Sequence, residues 1–319
     1  MPSSQIEGMT GPAIDTGGLI MALQKHGEVQ GSLFGVLDSP LHGKVRGEQS
    51  IMDFPLFSLA KRPQMDPMTF KMEGVQIELK PSANGIATMW DKEVLIYVLS
   101  LMCQHLAKTG EVINVFTFNA HDFFRATGVA RPSKRDYDRF IEALGRLQGT
   151  QIRTNIKTGT IGTKGFFSWF AEAQAMTRAM PNGGEQLMPV RVQICDWLVR
   201  AVSRDSRIYD YHHDYFRLGS IERRLYELAH CYSREESAEV TLEILAAKIG
   251  STAPLRALKM QLKKIAAEDR LPDYSIVIRE IVPDAPTLDK IGRKTSKTET
   301  IVIMKPREKL CDVRFSITQ

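Results

Sequence analysis

Apolar positions recur at helical spacing in two stretches of this chain, and the elements they predict come in the same order both times. In the first stretch, Val94, Leu95, Val98, Leu101, Met102 and Leu106 share one stripe, opened by Asp91 and stopped at Gly110. A short strand, Val115–Phe118, follows. Asn119 then starts the brief helix AHDFFRATG, which Gly128 ends. Ser133 opens a longer helix, with Asp136 three residues on to complete a capping box. Its stripe is Tyr137, Phe140, Ile141, Leu144 and Leu147, closed by Gly149-Thr150. Next, QIRTNIKT alternates as a strand, TGTIGTKG turns, and FFSWFAEAQAMTR returns as the partner strand.

The second stretch repeats the plan. Ser220 opens a helix with Ile221, Leu225, Leu228, Ala229 and Tyr232 on one side, and residues 240–242 supply the short strand. Leu242, Leu245, Ala246 and Ile249 place a helix ended by Gly250. Ser251 or Thr252 caps the next helix, where Pro254 is tolerated in the first turn. Residues 274–282 and 300–304 form the last hairpin. Helix, short strand, helix, turn, helix, hairpin is the winged-helix plan, and its repetition makes coincidence a poor explanation. The expected fold class is α+β, two tandem winged-helix domains joined by a linker helix at about 196–203. The expected boundaries are a disordered tail over 1–50, rich in Gly, Ser and Gln, a first domain over 51–205 and a second over 206–319, with order beginning near Phe54.

Charge separates the two copies. In the second, Leu255, Leu258, Leu262, Ile265 and Ala266 share one helix face, while Arg256, Lys259, Lys263 and Lys264 lie opposite, with no acid before Glu268. A lysine-rich helix alone is most often a solvated face. Here it sits in a helix-turn-helix, in the one basic part of the chain. From Val240 onward there are 15 Lys/Arg against 10 Asp/Glu, so of 42 basic and 37 acidic residues the preceding part keeps 27 of each. That localised excess points to double-stranded DNA as the partner. Arg256, near the start of the helix, is the expected base reader, with Thr252 and Lys259 next; Lys263 and Lys264 would grip phosphates. Lys290, Arg293, Lys294 and Lys297 in the wing loop would follow the backbone. The corresponding helix of the first copy carries Lys134, Arg135, Arg139 and Arg146, but also Asp136, Asp138 and Glu142. Lys134, Arg135 and Arg139 remain candidate DNA contacts, and this copy could still touch DNA through its expected wing, Arg153, Lys157 and Lys164. Interspersed acids weaken phosphate binding, so this copy is expected to serve protein contacts, dimerisation among them.

Other classes recede. No apolar run is long enough to cross a bilayer and no export signal opens the chain, which leads us to expect a cytoplasmic protein. Cys103, Cys195, Cys231 and Cys311 show no CxxC spacing and read as reduced thiols. No GxxxxGK[ST] occurs; residues 159–164 have neither the spacing nor the Gly-Lys pair. His212-His213 in YDYHHDYF raises a metal-dependent nicking endonuclease using Tyr215. Read as a strand, however, the segment turns adjacent imidazoles to opposite faces. We expect no enzyme activity, no cofactor and no metal.

Two resemblances add to this. Gln30-Gly31-Ser32-Leu33-Phe34 is similar to the glutamine-x-x-leucine-phenylalanine tether by which bacterial replication proteins dock on the sliding clamp, with Gly31 where that pattern carries leucine. Gln30, Leu33 and Phe34 would be its anchors. The stretches GIATMWDKEVLIYVLS, FTFNAHDFFRATG, YDRFIEALGRLQGTQIRTNIKTG, CDWLVRAV, DYFRLGSIERRLYELAH and AAEDRLPDY, in order over about residues 53–282, resemble the replication initiator protein A family of bacterial plasmids. The resemblance implies binding to direct repeats (iterons) at a plasmid origin, melting of adjacent A·T-rich DNA, and recruitment of host machinery such as the helicase loader. It also implies a switch between repeat-binding monomers and dimers that repress their own gene, with the dimer surface on the first winged helix. The competing class is a winged-helix transcription regulator that binds an operator and starts nothing, which fold alone does not separate.

Overall fold

The computed structural model describes residues 37–72, 74–181, 183, 185–205, 207–233, 236–281, 287–288, 294–295 and 298–307. In chain order, β1 (Arg46–Glu48) and α1 (Gln49–Asp53) precede β2 (Met68–Met72) and β3 (Val75–Lys80). Next come α2 (Lys92–Thr109), β4 (Val115–Phe118), α3 (Ala120–Ala126), α4 (Lys134–Gly149), β5 (Gln151–Thr154), β6 (Phe170–Ala179) and β7 (Glu185–Ile194). A short α5 (Asp196–Arg200) runs into a π turn (Ala201–Asp205), then β8 (Ile208–Asp210) and a 3-10 turn (His213–Arg217). The last part holds α6 (Ser220–Tyr232), β9 (Ala238–Thr241), α7 (Leu242–Ile249), α8 (Leu255–Glu268), β10 (Tyr274–Ile281), β11 (Thr287–Leu288), β12 (Lys294–Thr295) and β13 (Glu299–Pro306).

This is a mixed helix-and-sheet fold in which one topology occurs twice. α2, β4, α3, α4, β6 and β7 match α6, β9, α7, α8, β10 and β13 one for one. The sheets agree as well. Strand order is β4-β7-β6 in the first and β10-β13-β9 in the second, so each short strand lies beside the last strand of its repeat. The helix ends follow from local chemistry. Ser133 and Asp136 close the expected capping box on α4, the Ser133 N–H donating to Asp136 Oδ2 at 2.8 Å. Thr241 Oγ1 accepts from Ile244 N–H at the start of α7, and Gly250 ends it in the left-handed region (φ 79°). Gly250 is fixed for a second reason: a Cβ there would lie 2.6 Å from the Pro55 Cβ. The turn between α7 and α8 therefore rests against the segment after α1.

Three expectations are corrected. First, the tail boundary at residue 50 falls too late. β1 pairs antiparallel with β8, and Glu48 Oε2 caps α1 by accepting from the Ser50 and Ile51 N–H groups. Three residues of strand with a remote partner leave no alternation to read. Residues 1–36 of that tail lie outside the described residues, and with them Gln30, Leu33 and Phe34. Second, the hairpin of the first repeat is not 151–158 with 166–178. β5 pairs with β3 in a separate sheet, β2-β3-β5, and meets the other segment only at an Ile152–Phe167 bridge. The hairpin is β6–β7. Pro189 lies within β7 where the register against β6 shifts between Ala175 and Thr177 and beyond the residues that β4 pairs, so its missing N–H breaks no regular ladder there. Third, α8 is preceded directly by Pro254; Ser251 Oγ accepts from Ala253 N–H in the turn instead of capping the helix.

The two repeats meet over a buried ionic network centred on α6. Lys92 Nζ and Glu227 Oε1 lie 2.5 Å apart, both side chains fully buried, and Lys92 also donates to the Ile51 carbonyl at 2.7 Å. Arg224 pairs with Glu227 Oε2 at 2.6 Å and donates to the Met52, Asp53 and Lys248 carbonyls. It thereby ties the end of α1 to the end of α7. Arg223 pairs with Glu93 at 2.6 Å and donates to the Leu218, Met89 and Phe216 carbonyls. Tyr211 and Tyr215 hydroxyls complete the set by donating to Glu227. Nearly every polar atom here is matched, as burial of charge requires.

Candidate nucleic-acid interface

α8 carries a buried side and a cationic side, as its sequence predicts. Leu258 and Leu262 are fully buried, and Ile265 and Ala266 are half-buried against the core. Leu255, expected on that stripe, is exposed at the first turn. Arg256, Lys263 and Lys264 are exposed and Lys259 is half-buried. Thr252 is exposed in the turn before the helix. Arg256 has no ion pair among the described residues, so its guanidinium is available at the leading end of α8. Lys264 reaches Glu268 at 3.6 Å, an i,i+4 pair of little energetic consequence on the surface.

One acidic residue that the helix pattern does not reveal comes from β10. Glu280 Oε1 lies 3.2 Å from Lys259 Nζ and 2.8 Å from Lys263 Nζ. Hydrogen bonds from these two ammonium groups hold its carboxyl below the usual carboxylate range. Glu280 was missed because the register bringing β10 alongside α8 is a tertiary property. Of the wing-loop residues, Lys290, Arg293 and Lys297 lie outside the described residues; for Lys294 only the strand that contains it, β12, is described.

The first repeat presents a different surface. Lys134, Arg135 and Arg139 are exposed on α4, but Arg139 sits 3.9 Å from Asp136, which the capping box already fixes. Arg146 is buried and spent on a two-point pair with Asp91, Nε to Oδ2 at 2.8 Å and Nη2 to Oδ1 at 2.9 Å. Arg153, expected in the wing, lies on β5 and pairs with Glu78 at 2.5 Å. The true hairpin carries Arg191 paired to Glu172. With Asp136, Asp138 and Glu142 against its four basic residues, α4 carries less net positive charge than α8, which has only Glu268 against four.

The histidine pair needs a correction. The segment is not a strand at that point, because the 3-10 turn begins at His213. The imidazoles of His212 and His213 consequently lie side by side, 4.2 Å between centroids, and with Asp214 their ligand atoms come within 4.8 Å of one another. Their present engagements are structural. His212 Nδ1 accepts from Asp214 N–H at the start of the turn, and Arg217 pairs with Asp214 at 2.8 Å. Tyr215, the nucleophile of the nicking reading, is fully buried with its hydroxyl on Glu227. Burial and the adjacent carboxylate push its pKa well up.

Comparison with known proteins now decides the family. Residues 46–276 match the family described as replication initiator protein A. This chain belongs to that family. A protein of Wigglesworthia glossinidia brevipalpis named "Putative replication protein" is 31% identical over 247 residues, spanning 76% of this chain and 88% of that protein. Two crystal structures of domains 2 and 3 of RctB share the fold at 16% identity. One aligns with a TM-score of 0.54 over 80% of this chain and 96% of its own, the other with 0.50 over 83% and 98%. The family match spans both repeats up to β10, so α8 and the ionic junction are parts of the initiator's common body. Among its described residues no helix is long and apolar enough to cross a membrane.

Proposed function

We propose that the initiator is a plasmid protein made of two winged helices, and that its second repeat binds direct repeats at a replication origin by inserting α8 into the major groove. The supporting observation is Arg256 at the leading end of α8, exposed and without an ion pair among the described residues, followed by Lys259, Lys263 and Lys264 opposite the buried Leu258 and Leu262. A guanidinium there reaches base edges, and the ammonium groups further on meet phosphates. Lys290, Arg293, Lys294 and Lys297 are assigned to the wing contact with the backbone. Lys134, Arg135 and Arg139 are assigned a weaker, auxiliary contact, since α4 carries less net positive charge than α8, and the first repeat is assigned protein contacts, including a homodimer that represses the initiator's own gene. Repeat binding strains the neighbouring A·T-rich tract and brings in the helicase loader, and Gln30, Leu33 and Phe34 engage the sliding clamp. No catalytic step, cofactor or metal enters this scheme, which operates in the cytoplasm.

The test is a minimal plasmid carrying only this gene and its flanking DNA, introduced into the native host, with footprinting of the purified chain on the same DNA. Replication, together with protection of tandem repeats, is the expected outcome. Protection of a single palindrome by a soluble protein that sustains no replication would instead identify a transcription regulator.

A further inference from the structure

The second repeat carries its own competitor for DNA. Glu280, on β10, places one carboxylate oxygen between two ammonium groups a helical turn apart on α8, 3.2 Å from Lys259 and 2.8 Å from Lys263. An oxygen anion held by two lysines is the arrangement a backbone phosphate would make with the same pair. Glu280 is itself partly exposed, so nothing about its burial requires this pairing. Glu239, on β9 at the other edge of the same sheet, does not share the task, since it is engaged by Arg279 at 3.5 Å. Arg256, one turn before Lys259, is left out of the arrangement.

We propose that Glu280 is an affinity-setting residue, an internal stand-in for phosphate that DNA must displace before Lys259 and Lys263 can grip the backbone. This rests on the reading of α8 as the DNA-contacting helix. Any duplex supplies phosphates, so the displacement is demanded equally of every sequence. Only a cognate repeat also supplies base-edge contacts to Arg256, and those contacts offset the demand. Glu280 therefore lowers the affinity for every duplex by the same factor, and only the repeats, with base-edge contacts to add, keep enough affinity to be occupied.

The experiment uses the full chain and its Glu280→Gln variant. Each is titrated with a duplex containing the protected sequence beside its gene and with a scrambled duplex of the same length, over a series of salt concentrations. The expected result for E280Q is binding tightened roughly 5- to 10-fold on both duplexes, with a salt slope steeper by about one unit and the ratio between the two unchanged. Weaker binding to both duplexes would make Glu280 a support for the lysines and overturn the proposal; unchanged binding to both would overturn it too. A Lys259→Ala/Lys263→Ala variant keeps the two readings apart. If that variant binds like the parent, the assignment of α8 itself fails. If it loses affinity while E280Q is neutral, only the role of Glu280 falls.

Discussion

Arg256 and Glu227 illustrate opposite uses of charge at the scale of single residues. Arg256 is solvated and free of ion pairs among the described residues, so replacing it costs the fold little and the interface much. Arg256→Ala should weaken repeat binding by about 1–3 kcal/mol and relax the preference at one base position, as read by binding selection on randomised repeats. Glu227 is buried between Lys92 and Arg224, and Glu227→Gln strands two buried cations. A loss of about 3–5 kcal/mol in urea unfolding is expected, against no change if the network were dispensable. The pH dependence follows the same group. Burial alone would raise the Glu227 carboxyl, but Lys92, Arg224 and Tyr215 together hold it below its usual 4.5. Its contribution is therefore complete above that value and is lost as pH falls beneath it toward the lower folded value, a limb that E227Q should lack. Lys92 was invisible to sequence reasoning in this role, because a lysine at the first position of α2 looks like a solvated one. Only the fold places it against Glu227.

At the scale of elements, what could be read was what local periodicity encodes. α2, α4, α6, α7 and α8 were all legible from apolar stripes and their stop signals, and so was the β10–β13 hairpin. The first hairpin was not. β5 continues straight out of α4 with strand alternation of its own, while the true partner strand, β7, contains Pro189, which argues against a strand until the register irregularity opposite it is known. The site divided in the same way. The cationic face of α8 is a one-helix property and was legible; Glu280 and the side-by-side histidines depend on long-range register and on a 3-10 turn. The α7–α8 turn offers an element-scale test. Gly250 has φ 79° and faces Pro55, so Gly250→Val should cost on the order of 1–2 kcal/mol in backbone strain, with a further loss from the collision. Thermal unfolding should report a lower Tm and DNA binding should weaken with it, since the turn sets the angle of α8. An unaltered Tm would mean the turn relaxes freely and does not orient the helix.

For the whole molecule, the two repeats share a topology and differ in the charge of their equivalent helices. The N-terminal segment runs between them: β1 holds β8, α1 feeds carbonyls to Lys92 and Arg224, and Pro55 backs the turn into α8. A body built this way holds α8 on a rigid support by Leu258 and Leu262, and rigid support suits a recognition surface. The most direct check is the salt dependence of binding by the intact chain to the DNA beside its gene, compared with a variant carrying Arg256→Ala, Lys263→Ala and Lys264→Ala. The account predicts a steep slope for the parent, reduced by about one unit for each phosphate-gripping lysine removed, together with loss of preference for the repeats. Equal slopes and equal preference in the two proteins would contradict it.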